Sequence, residues 1–309
     1  MNLHKEQEST KGRTQSNVLR PDTNDSAHEF FGSHLTELDR IIENALQEDI
    51  ATGDITATSI VPADQECTAD VVLKEAATVA GLLLFSRVIS KCDQGAQFEA
   101  FVNEGQVIPA GKIPYTVARV TGKARAVLSA ERTALNLMQR MSGIATMTRK
   151  FTELAEPLRI EILDTRKTTP GLRLIEKWAV TLGGGTNHRF GLYDKILIKD
   201  NHIAIANGIT NAVDLARRGN PGMPVEVEVT NIEQLKEALS LSVEHIMLDN
   251  MSPTQIKESV ALIAGRAYIE VSGGVRLDNL KQYLIEGVSG ISIGALTHSV
   301  KNIDISLEF

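Results

Sequence analysis

The sequence predicts an α/β protein in two parts, an N-terminal α+β domain followed by an incomplete α/β barrel. Three observations carry this. After Pro157, short apolar runs alternate with amphipathic segments, the cadence of parallel strands joined by crossover helices. Each run ends in a charged residue or a glycine, and C-terminal strand ends form the active face of α/β barrels. Before Pro157 the chain shows no such repeat.

In chain order, residues 1–27 contain no clustered apolar residues, which predicts a mobile tail. The first helix is expected from His34 to Glu48, with Leu35, Leu38, Ile41, Ile42 and Ala45 at helical spacing and Ser33 as its cap. Strand-like runs follow at Thr68–Lys74, Gln97–Val102 and Ile113–Val120, interrupted by a helix near Leu82–Lys91. A long helical pattern covers Arg125 to Leu154, and Ser142-Gly143 predicts a break within it.

The barrel strands are expected at Arg159–Leu163, Lys195–Ile198, Val225–Val229, His245–Leu248, Tyr268–Val271 and Gly290–Ile293. Helices are expected between them at 171–182, 209–218, 231–240, 253–264 and 277–285. Only six strands fit, so the barrel is read as open. Residues 302–309 alternate apolar and polar positions, a half-buried strand expected to return to the N-terminal sheet. The resulting division is a tail (1–30), an N-terminal domain (31–140), a barrel (141–296) and a returning strand (297–309).

Composition narrows the function. The formal charge is −7 and aromatics make up 4%, which argues against a nucleic-acid partner that would need a basic field or a stacking surface. The longest apolar run, Val79 to Phe85, is too short to span a bilayer. Residues 1–27 lack the apolar core of a secretory signal, and their acids suit a transit peptide poorly. Cys67 and Cys92 have neither CxxC spacing nor a disulfide-rich context, so two reduced thiols in a cytoplasmic protein are expected.

Against that acidic background one stretch stands out. Between Asp164 and His202 lie seven lysines and arginines against four acids, a net +3. Arg166, Lys167, His188, Arg189 and Lys199 sit at strand ends or in glycine-rich connections, where they suit a small anionic ligand. Glycines close the last two strands in Ser272-Gly273-Gly274 and at Gly294. Phosphate sites on such barrels use backbone N–H groups there, although tight turns alone would also need glycine. Glu228 and Asp249 end neighbouring strands; acids so placed bind Mg²⁺, hold ribose hydroxyls or stabilise a developing cation. They could equally form an ion pair with Lys199. Together these devices suggest phosphorylated-sugar chemistry.

Longer motifs point the same way: SAERTALNLMQRMSGIAT (129–146), LDTRKTTPGLR (163–173), GGGTNHRFGLYDKILIKDNH (183–202), EVEV (226–229), IMLDNM (246–251), VSGGV (271–275) and SIGALTHS (292–299). Through them the chain resembles the quinolinate phosphoribosyltransferases, from about His34 to Phe309. The resemblance implies an N-terminal α/β sandwich with an open seven-stranded α/β barrel, the type II phosphoribosyltransferase fold. It also implies a homodimer, Mg²⁺ as cofactor, and two substrates, quinolinate and 5-phosphoribosyl-1-pyrophosphate (PRPP). The implied products are nicotinate mononucleotide, pyrophosphate and CO₂.

Carried over by motif, Arg166, Arg189 and Lys199, with Lys167 and His188, would receive quinolinate's two carboxylates. Arg132 would reach in from the neighbouring subunit. Glu228 and Asp249 would serve the ribose and Mg²⁺ side, and Ser272, Gly273, Gly274 and Gly294 the 5′-phosphate. The catalytic set is then Glu228, Asp249, Lys167 and Lys199. Three alternatives stay open from sequence: a paralogue with another substrate, a class I aldolase using Lys199 as an imine former, and a non-enzymatic anion-binding module.

Overall fold

The structure, a computed structural model, describes residues 30–309 apart from the side chain of Ser33. The expected tail lies outside the described residues except for its last member. Phe30 is helical, with its ring 6.5 Å from that of Trp178, and Phe31 is fully buried edge-on to the same indole at 4.7 Å. The first long helix runs Leu35–Ile50; its N-cap is His34, which makes no side-chain capping bond. The Ser33 hydroxyl expected there belongs to the undescribed side chain.

Twelve strands follow among the described residues. The N-terminal sheet is antiparallel in the order β12-β1-β5-β3, formed by β1 (Glu66–Leu73), β3 (Gln97–Ala100), β5 (Tyr115–Lys123) and β12 (Ile305–Glu308). β2 (Ala77–Thr78) and β4 (Val107–Ile108) make a small ribbon beside it. The returning strand expected from the final residues is β12, which pairs antiparallel with β1 from Asp70–Glu308 to Leu73–Ile305. Helix Leu82–Cys92 packs on the long helix Ala124–Ala155, which in turn touches helix Arg173–Leu182. One apolar core therefore runs from the N-terminal sheet into the barrel.

The long helix corrects one expectation, since Ser142-Gly143 does not break it. Gly143 is there for space. A Cβ at this position would lie 2.4 Å from the carbonyl oxygen of Lys301, where the segment leading to β12 crosses the helix. Gln139 stitches that crossing, accepting from Ile303 N (3.1 Å) on its carbonyl and donating Nε2 to Ile305 O (2.8 Å).

The second sheet is parallel, in the order β6-β11-β10-β9-β8-β7: β6 (Glu161–Leu163), β7 (Ile196–Ile198), β8 (Val225–Val229), β9 (His245–Asp249), β10 (Tyr268–Ser272) and β11 (Gly290–Ser292). These are the six strands read from the sequence. The seventh implied by resemblance is reduced to a single parallel bridge, Leu163 to Thr186, so β7 keeps a free edge and the barrel stays open.

Crossover helices Arg173–Leu182, Ile209–Gly219, Ile232–Ser240 and Pro253–Ile263 match expectation closely. The helix expected at 277–285 is absent; only a single 3₁₀ turn forms at Leu280–Gln282. Asn279 is the reason. Its side chain accepts from Arg276 N (2.7 Å) and donates to Gly274 O (3.0 Å), bonds that compete with helical ones.

Candidate active site

A cavity of about 870 Å³ opens at the C-terminal ends of the parallel strands. It is lined by Arg166, Lys167, His188, Arg189, Lys199, Glu228, Asp249, Ser272, Gly273, Gly274 and Gly294. Every site residue expected from sequence is thus brought together except Arg132. That residue is exposed on the long helix and does not line the cavity.

The cationic half is built on a buried ion pair. Asp164, the residue after β6, accepts from Lys177 Nζ, from His188 N (2.9 Å) and from Asn187 Nδ2 (2.6 Å). Lys177 also donates to His188 O (2.9 Å). Both members are fully buried. Burial pushes the Asp164 carboxyl up and the Lys177 ammonium down, and their mutual attraction with the converging N–H donors opposes it. The effect is to clamp the segment carrying His188 and Arg189 to the end of β6.

On this base stand two guanidiniums, Arg166 and Arg189, lining one cavity. Burial, and then the charge of Arg166, pull Arg189 below its usual pKa. Arg166 Nε is buried without a hydrogen-bond partner among the described residues. Two mutually repelling cations, one with a buried unpaired donor, describe a site whose partner is an anion. Lys199 is already paired, donating Nζ to Glu228 Oε2 at 2.5 Å. The ion pair considered from sequence therefore exists, at the rim of the same cavity.

The other half consists of acids and turns. Asp249 accepts from Asn250 Nδ2 (2.7 Å). Gly273 has φ +100°, and a Cβ on it would lie 2.3 Å from Asn250 Oδ1 and 2.8 Å from Asn250 N, so only glycine fits. Gly294 caps a helix of just four residues, Ala295–His298.

Arg140 joins the halves. From the long helix it donates to Glu176 (2.8 Å), to Thr169 Oγ1 (3.2 Å) in the loop after Lys167, and to Thr297 O (2.5 Å) behind Gly294. Thr297 Oγ1 in turn donates to Lys167 O (2.7 Å). Sequence reasoning missed Arg140 because a lone arginine on a helix carries no signal for three partners on two other elements. It also missed His298, which lines the cavity and stands inside the SIGALTHS motif. Glu226 and Glu270, buried at the barrel centre, were missed too. The alternation of EVEV puts Glu226 on the same strand face as Glu228, and that was the available clue.

Residues 54–142 match the family model "Quinolinate phosphoribosyl transferase, N-terminal domain" and residues 144–308 its C-terminal counterpart. The chain is 43% identical over 277 residues to the probable nicotinate-nucleotide pyrophosphorylase [carboxylating] of Bacillus subtilis, covering 89% of this chain and 94% of that one. It is 41% identical to quinolinate phosphoribosyltransferase [decarboxylating] 1b of Nicotiana tabacum, covering 97% and 87%. Among solved structures it is similar to NadC from Streptococcus pyogenes, with a TM-score of 0.85, 39% identity and 89% and 96% coverage.

Proposed function

The chain belongs to the quinolinate phosphoribosyltransferase family, and from that premise we propose that its cavity joins quinolinate to PRPP. The reaction releases pyrophosphate and CO₂ and gives nicotinate mononucleotide for NAD biosynthesis. The observation that carries the assignment is the pair Arg166 and Arg189, mutually repelling and with Arg166 Nε unpartnered, in one cavity with a glycine turn that excludes even a methyl group. A dicarboxylate suits the first and a phosphate the second.

Arg166 and Arg189, with Lys167, His188 and Lys199, receive the two carboxylates. Ser272, Gly273, Gly274 and Gly294 hold the 5′-phosphate. As the C1–O bond to pyrophosphate breaks, positive charge grows on the anomeric carbon, and Glu228 and Asp249 are the anions beside it. The pyridine nitrogen attacks that carbon and becomes a pyridinium. This cation stabilises the electron pair left at ring C2 as CO₂ departs, and C2 then takes a proton. Positioning and charge complementarity supply the catalysis, and no covalent nucleophile is needed. Glu228 and Asp249 are hard oxygen donors on adjacent strands, a donor set that fits Mg²⁺; bound there it would screen the pyrophosphate's charge.

Arg132, exposed and outside its own cavity, is assigned to the neighbouring site of a homodimer. Two free cysteines, whose thiols burial pushes up, suit the reducing cytoplasm. Among the described residues no helix is long and apolar enough to cross a membrane. The aldolase reading loses ground to the Lys199–Glu228 pair, because an ion-paired ammonium is not an imine-forming amine.

The decisive assay incubates the protein with carboxyl-labelled quinolinate, PRPP and Mg²⁺. Equimolar CO₂ and pyrophosphate should appear together; PRPP binding without CO₂ release would reduce the protein to an anion-binding module. Gly273→Ala should raise the KM for PRPP at least tenfold, about 1.4 kcal/mol, with quinolinate binding unchanged. An unaltered PRPP KM would remove the turn from the phosphate site.

A further inference from the structure

Beneath the cationic pocket lie two glutamates that the reaction as described does not use. Glu226 on β8 and Glu270 on β10 have side chains essentially without solvent contact. Burying two carboxylates in a barrel interior costs several kcal/mol each unless they are paired, so their partners are informative. Lys195 Nζ lies 2.9 Å from Glu226 Oε2, and Ser292 Oγ donates to Glu270. His188 Nε2 sits 3.2 Å from an oxygen of each acid. One imidazole thus stands at ion-pair distance from both carboxylates, with Nε2 and the facing Glu226 Oε2 and Glu270 Oε2 buried but outside hydrogen-bond geometry, and the same imidazole lines the pocket.

We infer that Glu226 and Glu270 are positioning residues of the reaction, gripping His188 from below so that it and Arg189 stand at fixed height under the quinolinate carboxylates. This inference rests on the proposed reading of the pocket. Elsewhere the loop is held by Asn187 Nδ2 and His188 N on Asp164, by His188 O on Lys177, by Arg189 Nη1 on Lys195 O (3.2 Å) and by Phe190 N and Gly191 N on Asp194. Without the acids nothing else among the described residues fixes Nε2, and a displacement of about 1 Å in such a site costs up to about 100-fold in rate.

The three groups also have the makeup of a metal site, with candidate ligand atoms all within 4.8 Å of one another. The ring's hydrogen bonding argues otherwise. Nδ1 accepts the backbone N–H of Arg189 (2.7 Å), which leaves the ring proton on Nε2, facing the acids. The atom that would ligate is a donor, and the Lys195 ammonium already lies against Glu226.

Charge follows from the same contacts. Burial opposes a second ring proton, but the adjoining carboxylates of Glu226 and Glu270 outweigh it and hold the imidazolium pKa up at about 9. The other charged groups facing this loop are Asp164, Lys177, Lys195, Arg189, Arg166, Asp194 and His245, the last 3.4 Å from Lys195 Nζ. Because the ring's pKa is raised, its charge is present below that value and lost as pH climbs through about 9.

The test varies quinolinate and PRPP separately in Glu226→Gln and Glu270→Gln. Quinolinate KM should rise about 10–100-fold with PRPP KM unchanged. The alkaline fall of kcat/KM for quinolinate should move from about pH 9 toward the ordinary histidine value of about 6.5. A folded variant with wild-type quinolinate KM and an unmoved pH profile overturns the inference, as does an equal rise in both KM values. Nitrogen-15 histidine NMR of the wild type needs no variant. A His188 ring titrating near pH 9 supports the grip; one titrating near its ordinary ~6.5 overturns it, and so does a stoichiometric divalent ion lost in Glu270→Gln. If the proposed function itself is wrong, wild-type turnover of quinolinate is absent; if only the grip is wrong, that turnover stands.

Discussion

Replacing Arg189 or Arg166 by alanine should weaken quinolinate binding by about 3 kcal/mol, roughly a hundredfold, while PRPP binds nearly as before. The physical reason is the state of the empty pocket. Burial, and then the charge of Arg166, lower the pKa of Arg189, and Arg166 holds a buried Nε without a partner. An incoming dicarboxylate relieves both conditions. Lysine at either position should restore little, since a point charge cannot make the forked contact of a guanidinium. Titration calorimetry with each ligand alone is the measurement. Equal losses for quinolinate and PRPP would detach these arginines from the dicarboxylate.

The second large effect is on stability. Lys177→Met leaves the Asp164 carboxylate fully buried with its countercharge gone, a change that costs about 3–5 kcal/mol. Denaturant unfolding should show a midpoint well below the wild type's. Removing both charges, with Asp164→Leu added, should recover much of the loss, because apolar pairs of similar volume often replace buried ion pairs without penalty. Quinolinate affinity should not recover in the double variant. Asn187 and the amide of His188 bind Asp164 itself, so the loop that carries Arg189 loses its anchor either way. A wild-type midpoint in Lys177→Met would mean that the pair contributes nothing.

Much of this was legible in the sequence, for identifiable reasons. Period-two and crossover patterns report burial directly, so the six parallel strands and the returning β12 could be read off. Charged residues and glycines at strand ends report the active face, so eleven of the twelve expected site residues meet in one cavity. The failures are of another kind. Gly143 reads as a helix breaker because composition does not reveal that Lys301 passes within a Cβ's reach. Asn279 suppresses a helix through two side-chain bonds that no periodicity encodes. Arg140, Glu226 and Glu270 act through partners far apart in the chain, and a charged residue's meaning there depends on three-dimensional neighbours. Patterns along the chain found what touches ligand; they did not find what holds those residues in place.

The pairing of β12 with β1 has a consequence for synthesis. Lys74 and Glu308, which form an ion pair at this seam, are 234 positions apart. At about 10 residues per second, β1 leaves the ribosome roughly 20 seconds before its partner exists. Through that interval one edge of β1 is a row of unpaired N–H and C=O groups, the kind of edge that templates aggregation. The charges of Asp70 and Arg119 on β1 and β5, bound to each other at 2.7 Å, are the gatekeepers at hand during the wait. Nascent chains halted just before Ile305 should therefore be more chaperone-dependent and protease-sensitive than the released full-length chain, in which β12 can pair with β1.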